Sequence, residues 1–475
     1  MDFNISDIYS YLPLVILASV ILVSLVIEMY ARSADKIIPW LTILSFLGVA
    51  YQSLLTVGDQ GLYFNGMLAT GGQVNLFYFI FNFGAAVVAL ITVDYLKKTG
   101  IYHGEFYILL QSAVLGMMMI ASARDLVMIF IGLEQMSLTF YVLAGFARKR
   151  LFSNEAALKY FLLGSFATGF IVYGLGLLYG ATHTLNISQL YSSFTFDKSN
   201  ITGVIGLTLF FLGFAFKIAA VPFHMWVPDV YQGAPTASTA LMSTVGKAAA
   251  FAALILVVSP AFQKEKSIEV LTPLIAFFSV LSMLYGSITA ILQTDIKRML
   301  AYSSIAHAGY MLIGLAAGNK EGIDGLIFYL AAYAFMNLGA FGIIALIEDK
   351  EEKNLAISDY SGLGSKYPLL AGLLALFMFA LSGIPPFAGF FGKYYVFVAA
   401  IKADLTWLAL VGIISSAISV YFYIRLVVVM YFGKEESKLE IVNSNSTMTG
   451  IIVSAILIVL MGVLPGSVID LISKF

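Results

Sequence analysis

The chain contains no cysteine, which excludes disulfides, cysteine-ligated iron–sulfur clusters and thiol catalysis together. Charge is the next scarcity. Only 11% of the 475 residues are Asp, Glu, Lys or Arg, while 60% are hydrophobic, far from the balance of a soluble domain. The four histidines are His103, His183, His224 and His307, and the first two fall in loops, so a haem held between two helix histidines is not expected. No basic segment leads into the first apolar run, which Asp2 and Asp7 precede. That run is therefore read as a membrane span and not as a cleavable signal. No metal-ligand cluster, phosphate loop, dinucleotide fingerprint or nucleophile–base pair stands out, and nucleic acid is not an expected partner.

What the chain has in abundance is apolar stretches of about 20 residues, each enough to cross a hydrocarbon core of roughly 30 Å. Fourteen are predicted, over 11–30, 37–57, 74–95, 104–122, 125–146, 155–180, 201–224, 235–258, 270–293, 298–318, 323–347, 368–402, 405–432 and 448–472. The reading is an all-α polytopic membrane protein, a single integral membrane domain over 1–475 embedded in a lipid bilayer. Two connections are distinctive: the Gly-rich loop 59–73 and the charged segment 348–366, "EDKEEKNLAISDYSGLGSK", read as a solvated link or a partner contact. Connections after odd-numbered spans carry fourteen Lys and Arg, against seven after even-numbered spans. The bias of basic residues toward the cytoplasm then predicts odd connections inside and both termini outside.

Five of the 26 basic residues remain, and they lie within spans: Lys159, Lys217, Lys247, Lys393 and Arg425. A charge at the centre of a membrane helix costs about 2.5–3.5 kcal/mol even on the insertion scale, so each needs a reason. Glu134 lies about ten residues into span five, which is roughly 15 Å deep at 1.5 Å per residue. Lys247 is comparably deep in span eight. Lys217 precedes Pro222 in span seven, and Lys393 follows Pro385 and Pro386 in span twelve. Lys159 either is buried or snorkels to the cytoplasmic face, and Arg425 reads as an interfacial anchor. His307, near Ser303, Ser304 and Tyr310, is either a satisfied interior histidine or a relay. For Glu134, Lys217, Lys247 and Lys393 the alternative to a functional role is a static ion pair.

The prolines break spans seven and twelve, and broken helices are tolerated in a membrane only where the freed backbone lines protein or a hydrated cavity. Each break adjoins a lysine. With the two spans running in opposite directions, both lysines fall on the same side of their breaks, as an inverted repeat places them. Burial favours the neutral form of lysine and carboxylic acid, and an opposite charge nearby favours the charged form. Groups balanced between these effects change protonation when a neighbouring charge moves, which is the chemistry of a proton path.

Three stretches carry a resemblance to a known family. "FLGFAFKIAAVPFHMWVPDVYQGAPTASTALMSTVGKAAAF" (211–251), "LVMIFIGLEQMSL" (126–138) and "LSGIPPFAGFFGKYYVF" (381–397) closely resemble the antiporter-like membrane subunits of respiratory complex I, the NADH-quinone oxidoreductase. Lys393, where the middle paralogue has glutamate, and an end at Phe475 without a long lateral helix resemble the subunit N branch. The resemblance implies two inverted five-helix repeats, spans four to eight and nine to thirteen, with spans seven and twelve broken. It divides the chain into an N-terminal three-helix part (1–103), a first half (104–258), a second half (270–432) and a C-terminal helix (448–472). Glu134 and Lys217 become the charge-tuning pair of the first half, Lys247 the connecting lysine, His307 the linking position and Lys393 the ionisable group of the second half. Lys159 matches a further buried lysine, and His224 a histidine beside the break. The implied activity is proton translocation coupled to electron transfer to quinone, in a bacterial cytoplasmic membrane. FMN, Fe–S clusters and quinone are expected in partner subunits and none in this chain, alongside other membrane subunits that include paralogues. A subunit of a multi-subunit Na⁺/H⁺ antiporter and a stand-alone secondary transporter are the other classes.

Overall fold

Hydrocarbon offers a backbone amide no water to bond, so a spanning segment of this composition has to satisfy its own amides as helix. The computed structural model describes residues 11–193, 200–263, 265–349, 353–433, 437–441 and 444–474. Asp2, Asp7 and Phe475, named above, and Lys198, Lys264, Lys350 and Lys434, counted among the basic residues of the connections, lie outside them. Among the described residues twelve spans are long and apolar enough to cross a bilayer. Spans one to six are Leu12–Tyr30, Ala34–Leu55, Gln73–Thr99, Glu105–Ser122, Leu126–Ala144 and Leu151–Thr182. Spans eight to eleven are Thr236–Val258, Val270–Ile291, Ile296–Ala316 and Lys320–Ile347; spans thirteen and fourteen are Thr406–Phe432 and Asn445–Val463. Spans seven and twelve are each built from two shorter helices, Ile201–Lys217 with Trp226–Gly233, and Pro368–Ser382 with Ala388–Lys402.

Three boundaries differ from the sequence reading. Span seven does not end at 224. After non-helical residues 218–225 it continues as Trp226–Gly233, anchored because the Trp226 indole stacks on Tyr160 at 4.3 Å and donates to the Phe216 carbonyl at 3.0 Å. Span eight is not one helix either: it is interrupted at Thr244 (φ −110°, ψ −92°), between Thr236–Ser243 and Val245–Val258. No proline marks that break, and the Thr244 hydroxyl instead bonds back to the Ala240 carbonyl at 2.5 Å. Finally, the Gly-rich loop 59–73 holds a small antiparallel hairpin, Gly61–Tyr63 against Leu68–Thr70, outside the spans of an all-α membrane fold.

Glycines let the helices approach closely. A Cβ on Gly116 of span four would lie 2.7 Å from the Gly132 carbonyl oxygen of span five, and one on Gly132 would lie 2.8 Å from the Gly116 oxygen. Spans eight, ten and eleven form the centre, with 94%, 100% and 94% of an apolar 18-residue stretch of each buried, against 17% for span one and 33% for spans six and thirteen. Those outer spans present apolar side chains such as Leu22, Phe166 and Ile414 outward, as lipid or a neighbouring membrane subunit requires.

The connections sort into two faces. On one, Arg124 N–H donates to the Met67 carbonyl and Ile187 N–H to the Arg124 carbonyl, joining the connections after spans two, four and six. On the other, Ile296 N–H donates to Leu355 and Ile357 N–H to Thr294, joining those after spans nine and eleven. The two junctions have the same design. Asp125 caps span five at the Val127 amide (2.9 Å) and bridges to Asn186; Asp295 caps span ten at the Arg298 amide (2.9 Å) and bridges to Ala356. Because the chain lacks cysteine, single Lys149→Cys and Ser188→Cys variants test this sorting. A membrane-impermeant maleimide is expected to reach the first from the cytoplasmic side alone and the second from the opposite side alone. Labelling of both from one side contradicts the two-face arrangement.

Polar chain at the helix breaks

Lys217, Lys247 and Lys393 each lie beside a helix interruption, where backbone oxygens and hydroxyls supply what hydrocarbon does not. Lys217 is the last residue of its half-helix, is 7% exposed, and donates to Ser137 Oγ at 2.8 Å with the Tyr141 ring 5.9 Å away. Lys247 follows the Thr244 interruption by three residues and donates to Ser304 twice, to its carbonyl at 2.7 Å and its Oγ at 2.5 Å. Lys393 reaches back across the Pro385–Pro386 break. It donates to the Ser382 carbonyl at 2.9 Å, one of the unpaired oxygens ending Pro368–Ser382, and to Ser416 Oγ at 2.8 Å, over the Tyr310 ring at 4.9 Å. A cation at a helix C-terminus is favoured by the helix dipole as well as by the hydrogen bond.

Among the described residues, no carboxylate lies within 4.0 Å of Lys217, Lys247 or Lys393. The static ion pair is thereby removed as their explanation. Glu134 accepts from Thr168 Oγ1 at 2.8 Å and does not touch Lys217 directly. Ser137, which Lys217 bonds, lies three residues and so one helical turn after Glu134, but its hydroxyl donates to the Leu133 carbonyl at 2.6 Å, so no hydrogen bond joins Glu134 to Lys217 through it.

Span ten organises the second half. His307 bonds on both ring nitrogens, Nδ1 to the Tyr329 hydroxyl at 2.8 Å and Nε2 to the Tyr423 hydroxyl at 3.0 Å. Tyr423 also bonds Ser303, and Tyr310 bonds Ser415 at 3.1 Å, itself 2.9 Å from Ser287. A neutral imidazole has one donor and one acceptor nitrogen, and each hydroxyl both donates and accepts, so the Tyr329–His307–Tyr423–Ser303 chain can run in either direction. That reversibility is what proton relay needs. From Lys247 to Lys393 polar groups recur along span ten, but in separate hydrogen-bonded groups: Lys247 with Ser304, Ser303 with Tyr423, His307 and Tyr329, Tyr310 with Ser415 and Ser287, and Lys393 with Ser416. Among the described residues no side-chain hydrogen bond joins one of these groups to the next, nor Ser137–Lys217 to Lys247–Ser304, so a proton passing between them would need water.

Two other expected residues sit elsewhere. Lys159 is not buried: its side chain is 41% exposed and is paired with Glu155 at 2.6 Å and Asp229 at 2.7 Å. Asp229 in turn pairs with Arg298 at 2.7 Å, which ties the half-helix Trp226–Gly233 to spans six and ten. His224 lies within the span-seven break, 8% exposed, with its ring 4.6 Å from that of Tyr285 and its buried Nδ1 without a hydrogen-bond partner. It joins none of the chains described here. Arg425 is less a snorkelling anchor than a cap, donating to the carbonyls of Ile291 (2.7 Å) and Gln293 at the end of span nine.

The family described as "NADH:quinone oxidoreductase/Mrp antiporter, TM" matches residues 123–419, which include Glu134, Lys217, Lys247, His307 and Lys393. A protein of Chloroherpeton thalassium, "NADH-quinone oxidoreductase subunit N 1", is 43% identical over 467 residues, 98% of each chain. The chain belongs to the NADH-quinone oxidoreductase subunit N family. A chain of respiratory complex I from Thermus thermophilus superposes with a TM-score of 0.83 at 32% identity, covering 96% of this chain and 98% of that one. A chain of the Mrp complex from Dietzia sp. shares the fold at a TM-score of 0.85 with 18% identity, covering 97% and 96%.

For this member of the subunit N family, sequence reasoning located the charges but missed the neutral partners Ser137, Thr168, Tyr329, Ser416 and Tyr423, and placed Ser304 beside His307 without its bond to Lys247. One signal was readable: Ser415, Ser419 and Tyr423 recur every four residues in the otherwise apolar span thirteen. The span-twelve break itself depends on Gly383, whose φ is +85° and where a Cβ would lie 3.0 Å from Lys393 Nζ. Gly383→Ala is expected to destabilise this region by about 1–3 kcal/mol and to displace the Lys393 ammonium. A lowered unfolding temperature of the assembled complex, with slowed proton transport, checks it.

Proposed function

We propose that the chain is a proton-translocating membrane subunit of an NADH-quinone oxidoreductase, and that its protons move along Glu134, Lys217, Lys247, His307 and Lys393. The observation that carries this reading is the set of buried lysines held at helix breaks by neutral oxygens, with the reversible Tyr329–His307–Tyr423–Ser303 hydrogen bonds lying between Lys247 and Lys393 along span ten. An ammonium without a carboxylate partner is free to lose its proton when a neighbouring charge changes; one locked in an ion pair is not. Glu134 acts on Lys217 through its charge, Lys247 passes charge toward the second half, His307 with Tyr423 and Tyr329 relays it, and Lys393 terminates the chain beside Ser416. Lys159 serves as an ionic tie to Asp229, and His224 lies where protons enter the span-seven break.

The chain performs no redox chemistry in this reading. FMN, Fe–S clusters and quinone belong to partner subunits, and the energy arrives from them; each proton moved against 100 mV takes about 2.3 kcal/mol. The neighbours in the assembly are other membrane subunits, its own paralogues included, in a bacterial cytoplasmic membrane with both termini outside. The matched Asp125 and Asp295 junctions on opposite faces support two inverted repeats, spans four to eight and nine to thirteen, within the halves 104–258 and 270–432. A subunit of a Na⁺/H⁺ antiporter has the same fold, but 43% identity to a subunit N protein against 18% to the Mrp chain favours the redox-coupled assembly.

Lys217→Ala and Glu134→Ala in the intact complex are each expected to remove most of the proton transport while leaving assembly in place. Reconstituted into vesicles, the variants should move fewer protons per electron than wild type. An unaltered ratio in both sinks the assigned roles.

A further inference from the structure

At the face where the odd-numbered connections meet, one carboxylate is wholly buried. Glu348, at the end of span eleven, has no exposed side-chain surface and is held by Arg150 Nη1 at 3.3 Å, by Tyr95 Oη at 3.1 and 3.2 Å, and by Thr236 Oγ1. Tyr95 Oη also accepts from the Thr236 amide at 2.9 Å, so both donors of Thr236 turn into the cluster. Two further cations hold the backbone around it. Lys98 donates to the Leu346 carbonyl at 2.6 Å, and the buried Lys297 to the Ala234 carbonyl at 2.7 Å. Every other ion pair among the described residues keeps both partners partly exposed. The segment containing Glu348 is therefore not simply a solvated link.

The placement has a direction. At the C-terminal end of span eleven the carbonyl dipoles disfavour an anion, whereas at the N-terminal end of the half-helix Thr236–Ser243 the free amides favour one. Through Thr236, and through Tyr95 that the Thr236 amide bonds, Glu348 is tied to the half-helix that leads, after eight residues and about 12 Å, to the Thr244 interruption and then to Lys247. Removing one member of a buried pair leaves the other uncompensated, so the anchor at Thr236 is rigid while the pair is intact. We propose that Glu348 is a positioning residue for proton transfer: with Tyr95, Arg150 and Thr236 it fixes the start of this half-helix and so sets Lys247 against Ser304. The inference rests on the reading of Lys247 as a member of the proton path.

The test uses the intact complex in its native membranes carrying Glu348→Gln, Tyr95→Phe or Lys247→Ala. It measures the amount assembled on native gels and, per assembled complex, proton transport and the kcat and KM of quinone reduction. Glu348→Gln is expected to lower kcat and proton transport by about ten- to a hundredfold, up to the loss that ångström-scale misplacement causes, with KM unchanged. Tyr95→Phe, which keeps the Arg150–Glu348 pair, is expected to assemble fully and give a smaller loss of the same kind. A variant that lowers only the amount of complex, at wild-type rate per complex, reduces Glu348 to a structural role and overturns the proposal. If Glu348→Gln does not assemble, a wild-type rate in Tyr95→Phe overturns it instead. A slow Lys247→Ala beside wild-type rates in the other two defeats this inference alone; a wild-type rate in Lys247→Ala defeats the proton-path reading and this inference with it.

Discussion

A lysine ammonium and the open end of a broken helix are each costly in hydrocarbon, and in this chain they meet. At Lys393 the ammonium bonds the Ser382 carbonyl that the Pro385–Pro386 break leaves without an amide partner. Either group alone would carry an uncompensated desolvation cost of several kcal/mol; together each supplies the other's hydrogen bond. Lys217 closes its half-helix at the span-seven break, where the Trp226 indole takes the Phe216 carbonyl. Lys247 follows the Thr244 interruption. The rest of the interior is arranged around these three interruptions.

The kind of partner distinguishes transport from architecture. Lys217, Lys247 and Lys393 rest on hydroxyls, carbonyls and aromatic faces, which stabilise an ammonium without holding its proton permanently. Carboxylates pair with cations near the ends of the spans: Asp229 with Lys159 and Arg298, and Glu348 with Arg150. There the charges tie helices to connections. Span ten links the two regimes, because Arg298 at its start belongs to an ionic tie while Ser304, His307 and Tyr310 further along belong to the proposed relay.

Much of the plan was legible in the residues because its causes are local. Runs of apolar residues demand helix, buried charges demand partners, and Pro222, Pro385 and Pro386 forbid continuous helix, so Glu134, Lys217, Lys247 and Lys393 could be singled out one by one. The Thr244 interruption was not legible, since it depends on packing around Thr236–Ser243 and not on any helix-breaking residue. Nor was Glu348, which sits in a string of charged residues and is indistinguishable there from its exposed neighbours.

The sequence by itself determined that this is a multi-span membrane protein with charges in its interior and two proline breaks, because hydrophobic length, charge cost and the missing proline amide are properties of single segments. Only the tertiary structure decided which groups those charges meet. Lys217 faces Ser137 and not Glu134, Lys159 stands partly in the open with Asp229, His307 is shared by two tyrosines, and Glu348 is drawn inside. Each of these contacts joins residues far apart in the chain, and the choice among possible partners is made by how closely the helices pack, a quantity that no single segment contains.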